Sequence, residues 1–165
     1  MSIEKVRAYF QELGMADKIL EFPSSSATVE LAAQAVGVIP ARIAKTLSFK
    51  KEEGCILIVA AGDAKIDNPK FKAQFGRKAS MLSPDAALAL TGHAVGGVCP
   101  FAVPEDVEVY TDISLKRFPT VFPAAGSSNS AIELSCEELF TYSHSRGWID
   151  VCKGWQEEQS GPSGV

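Results

Sequence analysis

Histidine is scarce in this chain: His93 and His144 are the only two among 165 residues. Cys55, Cys99, Cys136 and Cys152 form no C-x-x-C pair, so the ligand spacing of a zinc centre is missing, and no metal or cofactor is expected. No apolar run approaches the roughly 20 residues that cross a bilayer. The longest, Cys55–Ala61, has the length of a buried strand. The opening residues Met-Ser-Ile-Glu-Lys-Val-Arg lack the apolar centre of a signal peptide, and a soluble, cytoplasmic protein without membrane contact is expected. Positive charge is not in excess either. A net charge of −4 and a pI near 5.2 exclude a protein that coats nucleic acid through bulk charge. With 46% hydrophobic and 22% charged residues, the composition also argues against disorder, collagen-like sequence or a disulfide scaffold.

What is present is enough chain for one domain with a sizeable core. Ile3, Val6, Phe10 and Leu13 recur at helical spacing behind Ser2 as cap, and Gly14 ends the helix. A short strand, Ile19–Phe22, leads to the polar turn Pro23–Ser26. Thr28 caps a helix over Val29–Val36, closed by Gly37. Pro40 opens a helical turn before a strand over Ile43–Phe49, and the hairpin Lys50–Gly54 joins it to Cys55–Ala61. Asn68-Pro69 and Ser83-Pro84 each read as a cap followed by proline in the first helical turn, for helices ending near Phe75 and Leu90. Strands are expected at Val107–Tyr110, Thr120–Phe122, Ala131–Leu134 and Trp148–Val151, with a helix over Cys136–Tyr142 capped by Ser135. Helices and strands mix without a strict βαβ rhythm, which predicts one α/β or α+β domain around a mixed sheet. Residues 1–155 form that domain, and a polar, Gly/Ser-rich tail over 156–165 is expected to fray.

Three segments break local rules, and such breaks gather at functional sites. Lys45 sits on the otherwise apolar face of Ile43, Leu47 and Phe49, where a lysine either snorkels to the edge or is held to bind an anion. Gly96-Gly97-Val98-Cys99-Pro100 lets backbone approach a ligand closely, and its amides can stabilise an oxyanion; a plain turn is the alternative. It is not a phosphate loop, because no Gly-Lys-Ser/Thr follows. Ala125-Gly-Ser-Ser-Asn-Ser130 either lines a pocket for a small polar group or satisfies its own backbone. A thiol nucleophile at Cys99 needs a base within reach, for which His93 is the only neighbour in sequence, and a packed thiol is the simpler reading. Lys65, Lys70, Lys72, Arg77 and Lys78 form a local basic stretch against Asp63 and Asp67, either a solvated face or an RNA contact.

Taken in order, Ala44-Lys45-Thr46-Leu47, Ala61-Gly62-Asp63 with Lys65 and Asp67, Gly96–Phe101, and Ala125-Gly126-Ser127 through Ile132-Glu133-Leu134 resemble the YbaK / prolyl-tRNA-synthetase-associated editing domain family. The resemblance runs from the first helix to about Leu139 and is to a free-standing member. It implies a single α/β (α+β) domain with a mixed, mostly antiparallel central sheet surrounded by helices. It also implies a trans-editing aminoacyl-tRNA deacylase that hydrolyses the ester of a mischarged small residue, alanine, cysteine or similar, on tRNA(Pro). Prolyl-tRNA synthetase is an implied partner.

The implied catalytic residues are Lys45, which holds the terminal adenosine end rather than acting as a base, and the backbone of Gly96, Gly97 and Val98. Thr28, Gly62, Asp63, His93, Pro100, Gly126 and Ser127 are carried over as substrate-binding, and Lys65, Lys70, Lys72 and Lys78 as tRNA-binding. In the family the attacking water is assisted by the substrate's own ribose hydroxyl, so no protein base is required. Cysteine-specific relatives carry a serine where this chain has Ala124, and an Asn-Phe pair where it has Ala27 and Thr28; a pocket for alanine or another small residue therefore stands beside one for cysteine. The rival readings are an RNA-binding module without catalysis and a hydrolase of small acyl esters.

Overall fold

A computed structural model describes residues 2–26, 28–94 and 96–156. The Ser2 side chain, Ala27 and the tail beyond Gln156 lie outside the described residues. In chain order the elements are α1 (Ser2–Glu12), β1 (Ile19–Glu21), α2 (Val29–Val36), β2 (Ile43–Lys50), β3 (Cys55–Ala61), β4 (Lys65–Ile66), α3 (Asn68–Phe75) and α4 (Pro84–Thr91). They continue as β5 (Glu108–Asp112), β6 (Thr120–Pro123), β7 (Ser130–Ile132), β8 (Leu134–Ser135), α5 (Cys136–Tyr142), β9 (Trp148–Ile149) and β10 (Cys152–Lys153). Short 3-10 turns at Ala16–Lys18, Pro40–Arg42 and Ile113–Arg117 connect them. No helix among the described residues is long and apolar enough to cross a membrane.

Most helix boundaries follow their local signals. Thr28 Oγ1 accepts from Leu31 N at 3.1 Å, and Gly37 turns left-handed at φ 77° to close α2. Ser83 accepts from Ala86 N at 3.1 Å ahead of Pro84, and Ser135 and Glu138 form a capping box on α5. One cap is displaced. Asp67, not Asn68, caps α3, its Oδ1 accepting from Lys70 N at 3.1 Å, so Asn68 is the first helical residue.

The central sheet runs β8-β6-β2-β3-β5-β9. β2 and β3 pair antiparallel over seven residues, from Ala44↔Ala61 to Lys50↔Cys55. The sheet is mixed, as expected. The pairings β2–β6, β3–β5 and β5–β9 are parallel, while β2–β3 and β6–β8 are antiparallel. The strand expected over Ala131–Leu134 is two, because β7 pairs with β1 and β8 with β6, with exposed Glu133 at the switch. Likewise β9 ends at Ile149, and β10 pairs with β4, a two-residue strand that sequence periodicity did not reveal.

All seven residues of β3 are buried, at the centre of a core that includes Val6, Phe10, Phe71, Leu115 and Leu139. A strand covered on both faces loses its alternation and reads as a continuous apolar run. Gly62 follows it directly. A Cβ there would stand 2.2 Å from the Pro40 carbonyl oxygen and 2.6 Å from Val29 Cγ1. Only glycine lets the end of β3 pass under α2. Gly62→Ala is therefore expected to destabilise by about 1–3 kcal/mol, lowering the thermal midpoint by several degrees in a circular-dichroism melt. An unchanged midpoint would show that the turn moves aside freely.

Candidate functional site

Against β2 lies a cavity of about 360 Å³, walled by α2, α4, the loop around Gly96 and the strands β6 and β7. Lys45, Thr46 and Leu47 are only partly buried, so this stretch of β2 faces the opening rather than the packed core. Of the residues singled out in the sequence, Thr28, Lys45, Gly96 and Val98 line this one space. The remaining wall includes five alanines, Ala32, Ala44, Ala87, Ala124 and Ala131, together with larger apolar residues such as Phe122, Leu82 and Met81 and the polar Ser26, Thr46 and Ser48.

The Lys45 ammonium donates to the Gly62 carbonyl at 3.3 Å and to the Ala64 carbonyl. Burial pushes its pKa down, an effect opposed in part by Cys152 and Asp63. An ammonium has three donors. Two are spent on the turn after β3, and one remains for a ligand.

The loop from Ala94 to Pro100 is shaped by close approach. Gly96 is left-handed at φ 88°, and Gly97 N donates to Ala94 O at 2.9 Å. A Cβ on Gly97 would stand 2.8 Å from Ser127 Cα and 2.9 Å from Ser127 N. Gly126 and Ser127 therefore brace the loop from behind, and neither lines the cavity. The Ser127 hydroxyl is taken up by Asn129 Oδ1 at 2.9 Å and Ser130 Oγ at 2.8 Å. Among the described residues the amides of Gly96 and Val98 donate to no protein acceptor, while that of Gly97 is committed. Gly96 and Val98 line the cavity, and Gly97 serves the loop's shape.

Several expected contacts lie off the cavity for evident reasons. Asp63 is paired with Arg117, Oδ1 at 2.5 Å and Oδ2 at 2.9 Å, with both side chains largely buried. His93 is fully buried and Pro100 is buried beneath the loop. His93 Nε2 donates to the Phe101 carbonyl at 2.8 Å; burial pushes the ring's pKa down, an effect that this hydrogen bond opposes. Cys99 Sγ is 3.6 Å from that ring, so the pair expected of a thiol nucleophile does meet. It meets in the core, where burial raises the thiol to a pKa of about 12, and neither Cys99 nor His93 lines the cavity.

Of the basic stretch, Lys70 is drawn to Asp150 Oδ1 at 3.0 Å, and Arg77 leans toward Glu52 at 3.7 Å. Lys65, Lys72 and Lys78 are exposed. Sequence reading passed over Thr46, whose Oγ1 is buried at the cavity wall without a hydrogen-bond partner, and Met81 at the rim. A threonine in a strand carries no local sign of a site. Only the third dimension shows it.

Residues 24–142 match the aminoacyl-tRNA editing domain. The chain belongs to that family. It is 58% identical over 157 residues to the uncharacterized protein YwhH of Bacillus subtilis, covering 94% of this chain and all of that protein. Over 90 residues it is 31% identical to proline–tRNA ligase of Thermotoga sp., which covers 54% of this chain but 15% of the ligase. A solved structure described as a candidate trans-editing enzyme for prolyl tRNA synthetase superposes with a TM-score of 0.83 at 29% identity, covering 93% of this chain and 98% of its own. The fold is thus that of the editing domains, and the chain is an aminoacyl-tRNA deacylase whose substrate is an aminoacyl-tRNA.

The geometry separates two neighbours in the loop. Gly97→Ala forces the loop off the Ser127 backbone and is expected to cut deacylation by about 100-fold, the scale of a 1 Å misplacement. Cys99→Ser is expected to keep most of the activity. Single-turnover deacylation of both variants checks this, and an inactive Cys99→Ser would restore the thiol to the chemistry.

Proposed function

We propose that this protein edits in trans, releasing alanine or a similarly small residue from mischarged tRNA(Pro) in the cytoplasm, beside prolyl-tRNA synthetase. The observation that carries this reading is Lys45, half-buried at the cavity floor with one donor to spare, beside the free amides of Gly96 and Val98. The partial likeness to proline–tRNA ligases supports the choice of tRNA. The alanine-rich wall and Ala124 support a small side chain.

In this reading water attacks the ester carbonyl carbon and the C–O π electrons move onto the oxygen. The Gly96 and Val98 amides hold that oxyanion. Collapse re-forms the carbonyl and breaks the bond to the ribose oxygen, which leaves with a proton taken from the attacking water. The ribose hydroxyl next to the ester orients the water, so the site needs no protein base. Lys45 remains a cation and binds the phosphate or sugar of the terminal adenosine. The double-sieve logic is physical: a synthetase pocket built for proline gains only about 1–3 kcal/mol against a residue lacking a methylene, so smaller residues slip through.

The test is deacylation of tRNA(Pro) carrying alanine, cysteine, 2-aminobutyrate or proline. Release of one small residue but not proline, with a loss of 100-fold or more in Lys45→Ala, is the expected outcome. Release of proline, or full activity in Lys45→Ala, would overturn the reading. Charge reversal at exposed Lys72 and Lys78 is expected to raise KM for tRNA and flatten its salt dependence. A KM indifferent to both would point to a small-ester hydrolase instead.

A further inference from the structure

A second cavity of about 390 Å³ lies on the far side of the catalytic loop, between that loop's continuation and the start and end of the domain. Pro100, Ala102 and Val103 supply one wall, Tyr9 of α1 another, and His144 and Arg146, after α5, the rim. None of these residues lines the cavity that holds Lys45. Among the described residues only two non-glycines have a left-handed backbone, Ala102 at φ 56° and His144 at φ 53°. Both line this cavity. Left-handed backbone is costly for residues with a Cβ, and it concentrates at ligand clamps and functional sites.

The charges around the opening are of both signs. Arg146 has no hydrogen bond or ion pair from its guanidinium among the described residues, and Glu105, also lining the cavity, has none from its carboxylate. The Glu108 carboxyl is held below its ordinary pKa chiefly by its hydrogen bond from Lys51 at 2.8 Å, with Tyr110 at 2.9 Å and, least of all, the charge of Arg146 adding to it. The rest of the wall is largely apolar, with Val103, Val107 and Val109. The Tyr9 hydroxyl is anchored on the Tyr142 carbonyl at 2.6 Å, so its ring closes one side as a fixed surface. A cation, an anion and an apolar floor together fit a small zwitterion with an apolar side chain.

We infer that this cavity binds a free α-amino acid with an apolar side chain, its carboxylate toward Arg146 and its ammonium toward Glu105. The site is separate from the editing cavity and does not depend on which aminoacyl-tRNA is cleaved there.

Two-dimensional NMR of the intact protein, titrated with L-valine, L-proline and L-alanine, tests this without any tRNA. At least one of the three is expected to shift amides over 100–109 and 143–146 saturably. N-acetyl-L-valine and L-valinamide, each missing one charge, are expected to bind at least 10-fold more weakly than L-valine. Arg146→Ala and Glu105→Gln, both at exposed positions, are expected to lose binding at least 10-fold while keeping the fold and basal deacylation; Lys45→Ala is expected to bind as the wild type does. No saturable shift from any amino acid, binding that survives Arg146→Ala, or binding lost in Lys45→Ala would each overturn the proposal. The last would place the amino acid in the editing cavity. Since the readout needs no catalysis, a failed deacylation assay and a failed titration remain distinct results.

Discussion

A strand buried along its whole length must be covered on both faces, and that requirement at β3 organises the rest of the molecule. Helices α1, α3 and α5 all contribute side chains to the core around it. Its antiparallel partner β2 is packed more sparingly, and the part-buried run Lys45-Thr46-Leu47 is where the covering layer is left open. The cavity that holds Lys45 occupies that opening. Register does the next step: Lys45 pairs with Ala60, close to the end of β3, so its side chain reaches the turn that follows. The carbonyls of that turn, at Gly62 and Ala64, are what hold the ammonium.

The same turn explains why Asp63 matters without touching the cavity. Its carboxylate is gripped by Arg117 through two hydrogen bonds, and the Arg117 guanidinium lies 5.1 Å from the Trp155 ring centroid. Both members of the ion pair are shielded from solvent, so neither can leave without stranding the other in the interior. Asp63 sits between the two residues whose carbonyls bind Lys45. Holding it still holds them. A residue expected to meet substrate acts instead one layer back, and the neighbouring Gly62, by slipping under Pro40 and Val29, fixes where that layer lies.

What was legible in the sequence was whatever is decided locally. Thr28, Ser83 and Ser135 cap their helices because a side-chain oxygen reaches an amide three residues on, a distance that sequence reading spans. The one-residue error at Asp67 and Asn68 arose where two good caps stand side by side and only backbone geometry selects. The family pattern located Lys45, Gly96 and Val98 at a shared cavity. It could not separate wall from buttress: Gly126, Ser127, Gly62 and Asp63 belong to the same motifs as the lining residues, but act through the backbone or through a partner far along the chain, such as Arg117. The broken strand at Glu133 was hidden for a related reason, since a change of pairing partner leaves alternation intact.

The loop shows how a deacylase site dispenses with side-chain chemistry. A thiol and an imidazole stand 3.6 Å apart beneath it, the arrangement a cysteine nucleophile would use. Yet the thiol is driven to a pKa of about 12 and the imidazole spends Nε2 on the Phe101 carbonyl. Because His93 precedes the glycines and Phe101 follows the proline, that hydrogen bond ties the two ends of the loop together. Cys99 fills the space inside the tie. Their contact thus serves position: the tied loop places Gly96 and Val98 at the cavity, while Gly97 rests on the Ser127 backbone. A fixed amide costs no reorganisation when charge develops on a carbonyl oxygen, whereas a buried thiolate would first have to be desolvated and ionised. In the mechanism proposed above, preorganised backbone is therefore the less costly instrument, and fully buried Cys99 and Phe101 support it from beneath the loop.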